Sequence, residues 1–135
     1  MSLLKLILSL SLIILSMSVT AKDVVDCAHK QLGIPYKYGG HSPQTGFDCS
    51  GLAFYCHRYQ IPRVPKDQAA RNKINISSIK PGDLLFFAGK DGKGQIHHTA
   101  IFIGKNTYIE APQPGQNVRK TKMGRVVAAA SRYWK

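Results

Sequence analysis

Apolar residues fill positions 6–15 of the chain almost without interruption, and beyond position 22 they settle into two different periodicities. Over residues 23–32, Val24, Val25, Ala28 and Leu32 recur at helical spacing until Gly33 and Pro35 stop the run. A second helix is predicted from a cap at Asp48 to about Tyr59, with Leu52, Ala53, Phe54 and Cys56 on its apolar face. The intervening residues 36–46 are rich in Gly, Ser and Pro and read as a loop, with Tyr36 and Tyr38 in its extended first part. Residues 61–65 are irregular and 66–71 read as a short helix. Beyond Lys80 the texture changes to strands: Leu84 to Phe87, then residues 96–103, then 107–111. Pro81-Gly82-Asp83 and Gly104-Lys105-Asn106 are the turns between them, and 89–94 is a Gly-rich loop. Residues 118–123 and 124–129 supply one or two more strands. Helices followed by strands predict an α+β fold, the N-terminal helices packed on a small antiparallel β-sheet.

The first 21 residues stand apart from that fold. One positive charge in residues 1–5, an apolar stretch, then small residues with Val19 and Ala21 at the positions a signal peptidase reads make a secretory leader. The stretch is too short and wrongly flanked for a stable membrane span. Cys27 lies six residues beyond Ala21, too far for lipid attachment at the cut. Cleavage is expected after Ala21, leaving 22–135 as a secreted chain, extracellular or periplasmic. Those 114 residues suit one core and one domain. Losing Lys5 with the leader leaves 18 basic against 7 acidic residues, net +11. Such an excess speaks about partners rather than fold. The basic residues are scattered and match no nucleic-acid motif. Anionic cell-wall polymers or membrane surfaces are the natural partners of an exported cationic chain, although a basic surface also serves solubility alone.

Three cysteines leave at least one without an internal partner. A Cys27–Cys56 bridge with Cys49 free fits that count, but small buried thiols are the favoured reading, since free cysteine packs well in cores. Cys49 follows the Asp48 cap at the start of a helix, where unpaired amides favour a thiolate. Ser50 and Gly51 keep the helix start open to a substrate. On the strand of residues 96–103, His97 and His98 point to opposite faces, and periodicity leaves open which one serves Cys49. If the next hairpin is centred near Gly104, His98 lies across from Glu110, which would orient the ring. Each of these residues taken singly is more often structural than catalytic.

Four blocks taken in order change that balance: Tyr36-Lys37-Tyr38-Gly39-Gly40, Phe47-Asp48-Cys49-Ser50-Gly51, Pro81 to Phe87 and His98 to Gly104. Together they closely resemble the signature blocks of the NlpC/P60 cell-wall cysteine peptidases, over nearly the whole chain after the leader. The resemblance implies a papain-like domain with a catalytic cysteine at Cys49 and a catalytic histidine at His98 rather than His97. The third polar residue falls on Glu110, where the family more often has His, Asn or Gln. Tyr36 matches the tyrosine beside the catalytic thiol, and Asp48 and Ser50 match positions lining the substrate groove, although Asp48 serves equally as a helix cap.

The implied activity is hydrolysis of amide bonds in peptidoglycan stem peptides, commonly between D-γ-glutamate and a diamino acid. Cys49 and His98 would act through an acyl-enzyme. No cofactor is expected, and without C-x-x-C or H-x-x-x-H spacing no metal site either. Two rivals stand beside this reading. One is a thiol amidase for another wall or γ-glutamyl amide; the other is a non-catalytic cationic wall-binding protein, against which the intact Cys49 and His98 argue.

Overall fold

The computed structural model describes residues 18–89 and 91–135. Residues 1–17, most of the expected leader, lie outside the described residues. Helix α1 spans Ala21–Lys30, two residues earlier than its periodicity suggests. Its start is fixed by a capping box: the Asp23 amide donates to Thr20 Oγ1 (3.1 Å) and the Thr20 amide to Asp23 Oδ2 (3.0 Å). Val19 is buried beside it, and its carbonyl accepts from the Lys135 amide at 2.9 Å. A chain cut after Ala21 would therefore begin without Val19 and the Thr20 cap.

The loop after α1 carries a two-stranded ribbon, β1 (His41–Ser42) and β2 (Gly46–Phe47). Helix α2 then spans Cys49–Cys56. It stops short of Tyr59 because His57 caps it and both Arg58 and Tyr59 turn into left-handed backbone. Helix α3 is Pro65–Ala69, with Pro65 in its first turn.

Six strands form one antiparallel sheet in the order β3-β8-β4-β5-β6-β7. They are β3 (Lys73–Ile74), β4 (Leu84–Phe87), β5 (His98–Gly104), β6 (Thr107–Glu110), β7 (Arg119–Lys122) and β8 (Ala129–Ser131). β4 is buried along its whole length because both faces of the sheet are covered. On one face Leu84, Phe86, Ile101 and Ile109 meet Val24 and Ala28 of α1 and Leu52 and Ala53 of α2. On the other, Leu85, Phe87, Ala100, Phe102 and Tyr108 are closed over by Ile74, Ile79, Met123 and Val127. The α+β fold expected from the order of elements is the one observed. Of the residues 124–129 suggested for an extra strand, only the end pairs: the Ala128 amide donates to the Phe86 carbonyl (2.9 Å), and β8 runs on from Ala129 between β3 and β4.

The reading of Cys27 and Cys56 as separate buried thiols is overturned: they are joined, with Cα atoms 5.5 Å apart. Packing of α1 on α2 brings the two within the 4.4–6.8 Å that a bridge requires. The bridge closes a segment of sequence separation 29. On chain entropy, its removal in Cys27→Ala/Cys56→Ala should cost roughly 3.5 kcal/mol. Urea unfolding of the double variant checks this; an unchanged midpoint would mean that packing alone holds α1 on α2.

Candidate active site

Asp48, in extended conformation, ends the β2 segment and starts α2, so Cys49 occupies the first helical position. The Gly51 amide donates to Asp48 Oδ1 at 2.6 Å, which takes one of the free amides of the first turn. Arg63 then grips the carboxylate from the other side, Nη1 to Oδ1 at 3.0 Å and Nη2 to Oδ2 at 2.8 Å. It also reaches Ser50 Oγ (3.0 Å) and the Gly40 carbonyl (3.3 Å). Asp48 thus sits in a fork of guanidinium and backbone donors, and Ser50 is buried beneath it.

Gly51 serves a different purpose from the one its sequence position suggested. A Cβ there would overlap the Gly40 carbonyl oxygen, and one on Gly40 would overlap the Gly46 carbonyl. The missing side chains let the loop of residues 36–46 lie directly on the start of α2. The space at Gly51 is filled by backbone and not left for a substrate.

His98 opens β5, and β5 pairs with β6. The registers Ile101↔Ile109 and Phe102↔Tyr108, with the shift between Phe102 and Gly104, set Glu110 against Ala100 rather than His98. The chain turns at Lys105-Asn106 instead of at Gly104, and the bulge then shifts the register by one residue, so that the two residues meet on a diagonal of the same face. They still touch: His98 Nε2–H donates to Glu110 Oε1 at 2.7 Å. Both side chains are almost fully buried. The second carboxylate oxygen accepts from Thr121 Oγ1 (2.8 Å) and Arg119 Nε (3.3 Å), both on β7. With Nε2 taken by Glu110, Nδ1 is the ring nitrogen left for Cys49, which lines the same cleft and whose interaction with the ring favours its charged form. His97 looks away, its Nε2–H donating to the Ala88 carbonyl at 2.6 Å.

Burial alone would lower the His98 pKa; the hydrogen bonds to Cys49 and Glu110, and their charges, outweigh it and raise it to about 9. Burial likewise pushes Glu110 up, but the bonds from His98 and Thr121 and the charges of His98 and Arg119 hold it below the ordinary carboxylate value. The imidazolium is therefore the favoured form at neutral pH. Tyr36 packs at the same site, its hydroxyl pushed up by burial and by the charges of Cys49 and Asp48. Tyr36, Cys49, His98 and Glu110 line one cleft of about 510 Å³; Asp48 and Ser50 lie behind it. Arg63, Arg119 and Thr121 had no local signal in the sequence, since each acts through a partner remote along the chain.

Glu110→Gln should keep a hydrogen bond to His98 and remove the charge that holds its proton. Loss of activity at high pH follows deprotonation of the imidazolium, so the alkaline limb of kcat/KM should begin near pH 9 in the wild type. In the variant it should move to lower pH by about one unit. Turnover should fall by roughly tenfold, less than the 10²–10⁴ expected for losing the acid–base group itself. Superimposable pH profiles for the two proteins would remove Glu110 from the chemistry.

A thiol at a helix N-terminus facing an imidazole on a sheet is the construction of the papain-like thiol peptidases, with Glu110 here as the polar residue behind the ring. The model of the NlpC/P60 family matches residues 33–135, and this chain belongs to that family. Over 103 residues it is 41% identical to the gamma-D-glutamyl-L-lysine dipeptidyl-peptidase of Bacillus subtilis (strain 168), covering 73% of this chain and 34% of that one. Over 101 residues it is 37% identical to the murein DD-endopeptidase MepH of Escherichia coli (strain K12), covering 70% and 37%. The crystal structure of an NlpC/P60 family protein from Bacillus cereus superposes with a TM-score of 0.79 at 31% identity, covering 87% of this chain and 41% of that one. The chain spans about a third of the length of the curated relatives it matches.

Proposed function

We propose that this protein is an exported cysteine endopeptidase hydrolysing an amide bond of peptidoglycan stem peptides, the D-γ-glutamyl–diamino acid bond foremost. The observation that carries this is the meeting of Cys49 with His98, its ring bound to Glu110, in the lining of one open cleft. The names of the relatives support a peptidase, one for a gamma-D-glutamyl-L-lysine bond and one for a DD bond of murein, and differ in the bond cut. Export rests on the leader read from residues 1–21.

In the proposed reaction the Cys49 thiolate attacks the scissile carbonyl carbon, and the carbonyl π electrons move to oxygen. The Cys49 amide, at the helix start ahead of the capped Gly51 amide, and the Tyr36 hydroxyl in the same cleft are the donors offered to that oxyanion. As the C–N bond breaks, His98 passes its proton to the leaving amine. Neutral His98 next takes a proton from water, whose oxygen attacks the thioester; the acid departs and the thiolate–imidazolium pair is restored. Glu110 holds the ring edge-on to the sulfur throughout and steadies its charge.

Digestion of purified muropeptides, with the new amino terminus located by mass spectrometry, tests this. One fragment beginning with the free α-amine of the diamino acid and another ending in D-glutamate with a free γ-carboxylate are the expected products. Separation of a cross-linked dimer into a stem ending in D-alanine and one with a free diamino-acid side-chain amine would assign the DD bond instead, and release of a sugar-free stem peptide would make the enzyme an amidase. No cleavage of any wall fragment would overturn the proposal.

A further inference from the structure

The cleft is far from neutral. Besides Glu110 it carries no carboxylate, whereas Arg119, Lys122 and Arg125 all line it. Glu110 is already committed to His98, Thr121 and Arg119. Among the described residues, neither Lys122 nor Arg125 has a carboxylate partner. Arg125 is nevertheless held in place: its guanidinium carbon stands 4.6 Å over the Phe87 ring. Phe87 in turn lies 5.7 Å from the His98 ring, across the β4–β5 pair, and 5.4 Å from Tyr108. The guanidinium is thus within two ring spacings of the acid–base group. Lys122 ends the edge strand β7, exposed on the same rim.

A fixed guanidinium and an ammonium lining the cleft that holds Cys49 and His98, unneutralised by the protein, are built to receive an anion. We infer that Lys122 and Arg125 form a carboxylate-binding subsite, which makes this a peptidase for stem peptides with a free carboxylate next to the scissile amide. The inference rests on the hydrolase reading given above. A stem peptide offers two such groups, the α-carboxylate of the γ-linked D-glutamate and the side-chain carboxylate of a dicarboxylic diamino acid.

The test measures kcat/KM on synthetic stem peptides with each of these carboxyls free or amidated. It compares wild type, Lys122→Gln, Lys122→Gln/Arg125→Gln and Arg125→Lys. In the wild type, amidation of one carboxyl should lower kcat/KM by at least about tenfold, and the arm that responds names the carboxylate bound. The double variant should treat free acid and amide alike, at the wild type's amide rate. Arg125→Lys should keep most of the discrimination, separating charge from the packing of Arg125 on Phe87. High salt should shrink the wild-type preference. Indifference to both amidations, or discrimination surviving in the double variant, would overturn the subsite. Calorimetric binding of the same peptides to Cys49→Ala separates the two readings. Carboxylate-dependent binding without any turnover in wild type would sink hydrolysis and keep the subsite. Affinity blind to amidation would sink the subsite even in an active enzyme.

Discussion

Cys49→Ala is expected to lower hydrolysis of wall peptides by about four orders of magnitude or more while leaving the melting temperature within a degree or two of wild type. In the proposed reaction the sulfur is the group that becomes bonded to carbon in the acyl-enzyme. Cys49 is the free cysteine of the described residues and only partly buried, so alanine removes no bridge and little packing. Alanine is also the best residue for a first helical turn. His98→Ala should lose nearly as much, because without the imidazole the leaving amine departs unprotonated. The double variant should be no worse than the poorer single one, since the two residues act as a unit. Retention of more than about one per cent of wild-type turnover by Cys49→Ala would mean that the nucleophile lies elsewhere.

The parts of the site that were legible in the sequence are those carried by contiguous motifs. Cys49 behind its cap, His98 on its strand and the four buried residues of β4 could be read where they stand, because turn chemistry and local periodicity position them. What escaped depends on contacts between distant segments. Glu110 was found by its distance from His98, yet its actual partner geometry depends on a bulge after Phe102 that no residue pattern announces. The strands β3 and β8 are two and three residues long, too short for any alternation to show. Their pairing is dictated by the exposed edge of β4, a tertiary fact. The same holds for Arg63, which reaches fifteen residues back to Asp48, and for the Cys27–Cys56 bridge. Gly51 shows the inverse case: its presence was plain and its reason was not, because the crowding comes from Gly40.

The Pro81-Gly82-Asp83 block has a reason of the same remote kind. Asp83 is fully buried, at 0% exposure, and lies outside the cleft. Its Oδ1 accepts from Arg132 Nε (2.8 Å) and Trp134 Nε1 (2.8 Å), and its Oδ2 from Arg132 Nη2 (2.8 Å) and the Lys80 amide (2.7 Å). One carboxylate therefore ties the C-terminal segment to the entrance of β4, while its backbone carbonyl receives the Phe102 amide of β5 (2.9 Å). Asp83→Ala would leave the half-buried Arg132 guanidinium and the Trp134 N–H facing an uncompensated hole. Removing one member of a buried ion pair costs about 3–5 kcal/mol, comparable with the whole margin of many small domains. The variant should unfold at a much lower urea concentration. Its remaining folded fraction, measured well below the transition, should turn over wall peptides with wild-type kcat, because Asp83 anchors β4 and β5 and touches none of Cys49, His98 or Glu110. A full-strength fold with depressed kcat would instead place Asp83 in the reaction, and a stability loss under about 1 kcal/mol would show the four bonds to be dispensable.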